Sequence, residues 1–317
     1  MKLTLRKQKQ LYKRAAKAIE DYADRPDIVD IEFGLKLVDG LITDELCIRF
    51  NVRKKMSTKS LRSNLVLPNE IAGFKTDVVD FDNRLQILVL PPRTKIRPLI
   101  GGSQILSQIF LADPYAYGTL GAVMTLNGTY VGITNYHVLY GSIPAQMVQT
   151  DYAGKCRIFQ HLHDTKSINS IGVASTVFDQ ALDFALIGIE EPVNLTQSLN
   201  GFPGVIKQII PVDPIYGQTK VKKTGATSGI TYGIVYGQSL RNPARFPIIS
   251  DPNFQDKNLP LSLDGDSGSL WIVNDNDTNI KIVGLHCQGD GETNAVATSI
   301  TSILNAVKKQ THEIYEN

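Results

Sequence analysis

Cysteine is scarce in this chain: three among 317 residues, Cys47, Cys156 and Cys287. An odd, widely spaced set makes no disulfide framework, and the expectation is a reducing compartment and a cytoplasmic protein. Long apolar runs are missing as well. No window of about 18 consecutive apolar residues occurs, so no membrane span is expected. The opening stretch, MKLTLRKQKQLYKRAAKAIEDY, is basic and lacks the apolar run of a signal peptide. Excess charge is absent too: 33 Lys and Arg against 31 Asp and Glu leave a formal charge of +2. That is too little to argue for a nucleic-acid partner. What is present, 42% hydrophobic and 20% charged residues, is the composition of a globular protein with room for one large or two medium cores.

Periodicity divides the chain. Leu11, Ala15, Ala18, Ile19 and Tyr22 fall on one helical face within residues 3–23. The first 17 residues hold seven Lys or Arg and no acid. Such a helix either reaches an anionic partner or docks its apolar face on its own domain, and docking is the expected outcome. Residues 28–53 alternate as a hairpin around Asp39-Gly40. MSTKSLRSN predicts a short helix and GFKTDVVDF a further strand. Pro91 and Pro92 then punctuate the chain. From about Ile100, short β-rich runs alternate with Gly, Asn and Pro turns, as in GTLGAVMTL, Asn127-Gly128 and TYVGITNYHVL, which predicts a sandwich or barrel. Ile300, Ile303, Leu304 and Val307 predict a closing helix. The expected architecture is mainly β, with an N-terminal α/β domain over 1–95 and a second domain over 96–317.

Three strings carry chemistry: TNYHVL around His137, LDFALIGI around Asp183 and LDGDSGSLWIV around Ser267. A serine hydroxyl attacks only when a base takes its proton. A histidine can take that proton and later return it, and a buried carboxylate holds its tautomer. Asp179 is the alternative carboxylate. The tetrahedral oxyanion needs backbone donors, and a Gly-Asp-Ser-Gly turn offers the amides of Gly265 and Ser267.

These strings resemble the trypsin/chymotrypsin superfamily in kind, order and spacing, with 46 residues from His137 to Asp183 and 84 from Asp183 to Ser267. That likeness covers roughly residues 100–310 and implies a double antiparallel β-barrel with the three residues in the cleft. More narrowly, the chain is similar to intracellular-type bacterial and plant trypsin-like proteins with an N-terminal extension. Thr76-Asp77-Val78-Val79, Arg97-Pro98-Leu99-Ile100-Gly101-Gly102-Ser103, Gly118-Thr119-Leu120-Gly121-Ala122-Val123 and Lys223-Thr224-Gly225-Ala226-Thr227-Ser228-Gly229 carry that second likeness. In digestive relatives the acid before the nucleophile, here Asp266, pairs with an amino terminus freed by cleavage. Ile100-Gly101-Gly102 resembles such an end. The narrower likeness implies instead a protein active as made, with Asp266 satisfied by a side chain or backbone amides.

The resemblance also places a specificity pocket. Its floor falls at Leu261 and Ser262, and its wall at Val283–Gly289, including His286 and Gly289. No acid stands at the floor, so a preference for Lys or Arg is not expected. Ser262 and His286 occupy the positions used by glutamate-specific bacterial endopeptidases and by viral cysteine proteases that prefer Gln. A hydroxyl with an imidazole can satisfy Glu, Gln or Asp; an apolar pocket set by Leu261 is the competing reading. Cys287 falls where a small hydroxyl residue usually touches the triad carboxylate. His161 with His163, and Asn274-Asp275-Asn276-Asp277, are too few in ligands for a metal and read as a surface strand and a polar turn.

The expectation is therefore a cofactor-free serine endopeptidase acting on protein or peptide substrates in regulated intracellular proteolysis. Its N-terminal domain is a candidate surface for one specific partner. The alternative is a silent pseudoprotease serving as a binding scaffold.

Overall fold

A computed structural model of the chain describes residues 3–57, 60–80, 96–113, 115–160, 169–190, 194–206, 209–256, 258–274 and 279–315. Helix α1 (Leu5–Ala18) begins at Thr4, whose side chain accepts from the Lys7 amide at 3.3 Å. Ala15 and Ile19 are buried and Leu11 packs beside them. The basic helix therefore docks on its own protein, as its periodicity implied. Strands β1 (Ile28–Val38) and β2 (Leu41–Val52) form the expected hairpin. Asp39 and Gly40 both have positive φ, 50° and 75°, the primed turn that matches strand twist. After β3 (Glu70–Ile71), strand β4 (Phe74–Asp80) pairs parallel to β2. The helix expected in MSTKSLRSN falls partly on Thr58 and Lys59, which lie outside the described residues; its described end enters a 3-10 turn at Ser63–Leu65.

The first barrel uses β5 (Leu99–Gly101), β6 (Ser103–Ser107), β7 (Gly118–Leu120), β8 (Ala122–Leu126), β9 (Thr129–Thr134), β10 (Arg157–Phe159), β11 (Ser170–Asp179) and β12 (Phe184–Ile189), with β13 (Leu195–Leu199) beside β5. β7 and β8 are one strand bent at Gly121. β7 pairs with β6 and β8 with β9, and this closes the ring β6-β10-β11-β12-β9-β8/β7. Short helices α2 (Tyr136–Tyr140) and α3 (Ala145–Met147) follow β9.

The second barrel contains β14 (Ile210–Pro211), β15 (Lys220–Gly225), β16 (Gly229–Val235), β18 (Arg245–Ser250), β19 (Leu270–Val273), β20 (Lys281–Gly289) and β21 (Asn294–Ser299), while β17 (Gly237–Ser239) joins the N-terminal sheet. The order β20-β19-β15-β16-β18-β21 closes through a β20–β21 pairing. Helix α4 (Ile300–Tyr315) then buries Ile300, Ile303 and Val307, with Leu304 half-buried, as its spacing implied. The Gln310 amide clasps the backbone of Phe178 on the first barrel from both sides, at 3.2 and 2.9 Å.

The N-terminal layer continues the second barrel. β17 leaves the barrel one residue after β16 and pairs with β1, Gly34 opposite Gly237. One apolar cluster holds Ile31, Phe33, Ile48 and Phe50 together with Val221, Ile248, Leu261 and Trp271. The expected boundary near residue 95 lies outside the described residues, as do Pro91, Pro92, His161, His163 and Asp275–Asp277. At the seam, a Cβ on Gly34 would stand 2.2 Å from the Tyr236 carbonyl oxygen. Gly34→Val should therefore part the two sheets and lower unfolding free energy by about 1–3 kcal/mol, the usual cost of overpacking. Urea denaturation measures it, and an unchanged midpoint would show that the seam yields.

Candidate functional site

His137 lies on α2 directly after β9. Its neighbours Tyr136 and Tyr140 are buried and pack on each other and on Phe178, ring centroids 5.1–5.7 Å apart. That aromatic anchor leaves the His137 side chain 40% exposed in the cleft. Asp183 directly precedes β12, and its Oδ2 stands 2.8 Å from His137 Nδ1, with Oδ1 at 3.0 Å. Oδ1 also accepts the His137 amide at 3.1 Å. Asp183 is held at φ 55°, a left-handed backbone that Asp tolerates better than most residues. Buried Asn135 fixes it there by donating Nδ2 to the Asp183 carbonyl at 2.7 Å. Asp179, the alternative carboxylate, accepts the Leu182 amide at 2.9 Å and only shapes the turn.

Ser267 sits on the turn between the barrels, half-buried. The bent strand β7 cradles that turn. Thr119 donates its amide to the Ser267 carbonyl at 2.8 Å and its hydroxyl to the Gly265 carbonyl at 2.7 Å. Thr134, three residues before His137, donates to the Thr119 carbonyl at 2.8 Å. So the turn and the histidine hang from one hydrogen-bonded run. A Cβ on Gly121 would meet the Gly268 carbonyl oxygen at 2.5 Å, so the close approach needs glycine there. Among the described residues no hydrogen bond joins the Ser267 hydroxyl to His137. The structure thus assembles the His–Asp half and brings the serine's turn alongside.

The turn's amides divide in an informative way. Asp266 N–H is bound to the Leu263 carbonyl at 3.0 Å and Gly268 N–H to the His286 carbonyl at 3.0 Å. Among the described hydrogen bonds, the amides of Gly265 and Ser267 serve no acceptor. Gly265 reaches this arrangement at φ 92°, and Gly268 at 95°, a region open to glycine. Two unspent donors on either side of one residue can bind an oxyanion.

Asp266 faces inward. Its carboxylate lies 2.8 Å from Lys223 Nζ, and neither side chain is exposed at all. It also accepts amides from Thr227, Ser228 and Leu263 at 3.0–3.1 Å. Burial alone would raise the Asp266 pKa, but the Lys223 charge and these bonds hold it down to about 2. Burial lowers the Lys223 pKa, against the pull of Asp266. Lys223 also donates to Ser228 Oγ at 2.9 Å and lies over the Trp271 ring. The acid before Ser267 is therefore satisfied by a side chain of the intact chain and by backbone amides. The sequence places Lys223 in a turn motif but gives it no role there. The available signal was register: Lys223 shares the inward face of β15 with buried Val221, where a lysine needs a partner.

Around the expected pocket, Leu261 has no exposed surface and belongs to the core cluster with Trp271. Ser262 and His286 are buried side by side, Oγ to Nε2 2.7 Å. Trp271 Nε1–H donates to His286 Nδ1 at 3.4 Å. Burial first, then the Lys223 charge, pushes the His286 pKa down to about 3. A neutral ring that accepts at Nδ1 carries its proton on Nε2. Nε2–H therefore donates to Ser262 Oγ, and the Ser262 hydroxyl proton is left to donate. Gly289, at the end of β20, is half-buried. Cys287 bonds to the Val296 carbonyl at 3.4 Å and receives the Thr298 hydroxyl at 3.9 Å. The carboxylate of Asp183 goes to His137 instead. Burial pushes the Cys287 thiol up to about 11.

Among the described residues no three His, Cys, Asp or Glu side chains form a metal cluster, and no helix is long and apolar enough to cross a membrane. No protein-family model and no curated protein matches the chain. Solved structures do. A glutamic-acid-specific serine protease that uses a histidine triad in substrate binding matches at 18% identity, over 66% of this chain and 97% of that chain, with a TM-score of 0.41. Thermobifida fusca Protease A matches at 15% identity over 65% and 94%, TM-score 0.43. Cellulomonas bogoriensis chymotrypsin matches at 16% identity over 66% and 94%, TM-score 0.42. At such identities and scores these likenesses lend no roles to residues. By its own strand pairings, the chain has a mainly β, double-barrel fold of the chymotrypsin-like kind.

Proposed function

We propose that the chain is a serine endopeptidase that hydrolyses peptide bonds through an acyl-enzyme, with Ser267 as nucleophile, His137 as general base and Asp183 as the orienting carboxylate. The observation that carries the reading is the pair of unspent amides, Gly265 and Ser267, beside a histidine already bonded to a carboxylate. With Nδ1–H given to Asp183, His137 keeps its lone pair on Nε2. That nitrogen takes the Ser267 proton as Oγ adds to the scissile carbonyl. It returns the proton to the departing amine as the C–N bond breaks, and water then releases the acyl group by the same route in reverse roles. Residues 96–317 carry this chemistry, and residues 1–95 form a substrate-facing or partner-facing layer. Three free, buried cysteines favour action in a reducing compartment, in regulated proteolysis.

The missing hydrogen bond between Ser267 and His137 is the one observation favouring a silent scaffold. Such bonds are often long before substrate arrives. A fluorophosphonate probe should label the wild type and not Ser267→Ala, and Ser267→Ala should lower kcat on the order of 10^4–10^6-fold. An unlabelled wild type would sink the peptidase reading and leave the scaffold.

Lys223 is a positioning residue, holding Asp266 so that the turn keeps its two amides unspent with no cleavage near Ile100. Lys223→Met should leave KM near wild type and cut kcat at least tenfold. It should also cost about 3–5 kcal/mol of stability by stranding a buried carboxylate. Ser228→Ala, which removes one bond to Lys223 and keeps the ion pair, should give a smaller drop in kcat. Loss of stability with kcat intact would make the pair structural only.

Among Glu, Gln and Asp, the pocket chemistry suits Gln best. Ser262 offers one hydroxyl proton, backed by a neutral imidazole, and no spare positive charge for a buried carboxylate. Both residues are covered in this structure, so binding must open the site for a group that accepts that proton. A peptide library should show cleavage after Gln ahead of Glu and Asp. Ser262→Ala should reduce the Gln advantage about tenfold, the worth of one hydrogen bond. Cleavage confined to Leu, Phe or Val would overturn the polar pocket.

A further inference from the structure

A cavity of about 580 Å³ lies between the N-terminal sheet and the outer face of the second barrel. Its floor is a cross-strand row. Glu32 on β1 stands opposite Arg49 on β2, and Arg49 opposite Asp77 on β4. Arg49 is buried, bonded to Glu32 at 2.9 Å and to the Leu35 carbonyl at 3.0 Å, and 3.9 Å from Asp77. Its guanidinium lies 5.0 Å from the Tyr236 ring. The other wall is the end of the β20–β21 hairpin, including Gln288, Gly289 and Asp290. The lining holds the carboxylates of Glu32, Asp77, Asp80 and Asp290 and two cations, Arg49 and Lys55; Asp80 also accepts the Lys55 amide, and Asp290 the amides of Glu292 and Asn294 and the Asn294 side chain. The lining is therefore two negative charges in excess, among apolar walls such as Leu37 and Ile249.

Strand β20 links the cavity to the proposed active site, since Gln288 and Gly289 line the cavity two and three residues beyond His286. β19 accompanies β20 only as far as Leu270 opposite Leu285. Gly268 then bonds the His286 carbonyl, and at Cys287 and Gln288 no strand runs along that edge among the described residues. An extended peptide can add there as a further antiparallel strand. Running opposite to β20, it arrives at Ser267 with its C-terminal end and leaves past Gly289 and Asp290 with its N-terminal end. At about 3.3 Å per residue, the four steps from His286 to Asp290 put the cavity mouth about four to six residues before the scissile bond.

We propose that this cavity is a remote subsite for a lysine or arginine of the substrate, lying about four to six residues before the bond that is cut. The proposal rests on the peptidase reading for its direction, and on the cavity for its chemistry. A long cationic side chain fits it: the stem lies along the apolar walls and the head meets the surplus carboxylates. The N-terminal layer then takes part in choosing substrates.

The test is binding, which needs no turnover. Fluorescein-labelled decapeptides with Gln before the scissile bond, and Lys or Glu five residues before it, are titrated onto Ser267→Ala by anisotropy. The Lys peptide should bind five- to tenfold more tightly. The difference should shrink with added salt, and it should disappear in Asp77→Asn/Asp80→Asn. Asp80→Asn alone, at an exposed position, should remove part of it and guards against misfolding of the double variant. Equal affinities, or a difference that both variants keep, would overturn the subsite. Fluorophosphonate labelling of wild type and of Asp80→Asn runs beside it. Absent labelling in both sinks the peptidase reading, whereas normal labelling with equal peptide affinities sinks only the subsite.

Discussion

A buried ion pair governs the candidate site. Lys223 and Asp266 are 2.8 Å apart with no exposed surface. Removing two charges from water is expensive, and only good geometry and further hydrogen bonds offset it. Those are present: Asp266 takes three amides besides the ammonium, and Lys223 adds the Ser228 hydroxyl. Such an arrangement does little for net stability and much for uniqueness. With Asp266 turned inward, the amides of Asp266 and Gly268 are bonded to Leu263 and His286, and those of Gly265 and Ser267 serve no acceptor among the described hydrogen bonds.

The same turn is gripped from the first barrel. Thr119 bonds the carbonyls of Gly265 and Ser267, and its own carbonyl accepts Thr134. The bend at Gly121 therefore does two jobs. It lets β7 and β8 close a barrel, and it brings the strand into van der Waals range of the nucleophile turn. Closing the barrel and assembling the cleft are one event, so slack in the first barrel is felt as misplacement of Ser267 relative to His137.

Much of this was legible in residue order. His137, Asp183 and Ser267 announce themselves because their chemistry demands particular neighbours, and two hairpin turns, Asp39-Gly40 and Asn127-Gly128, because positive φ demands particular residues. Lys223 was harder. Nothing local marks a lysine as buried until the register of β15 is known, and its partner is 43 residues away. Asn135 was hidden for the same reason, since the bond that matters runs to a backbone carbonyl 48 residues on. Leu261 shows the same dependence on packing: its offset from Ser267 places it at the pocket floor, and only the fold shows it buried in one cluster with Trp271.

The shared core also changes what the N-terminal segment can be. A tethered module would bury its own apolar face and touch the rest by a polar seam. Here Phe33 and Phe50 join one cluster with Leu261 and Trp271, and Trp271 in turn orients His286 through its indole N–H. A shift of the sheet at Gly34 and Gly237 must therefore move side chains that back Ser262. The sheet's opposite face carries the charged row Glu32–Arg49–Asp77, turned toward the end of β20. One layer thus supports the pocket beside the proposed scissile bond from within the core and lines a cavity further along the same strand. Coupling between the two follows from rigidity of a close-packed interior, with no moving part required.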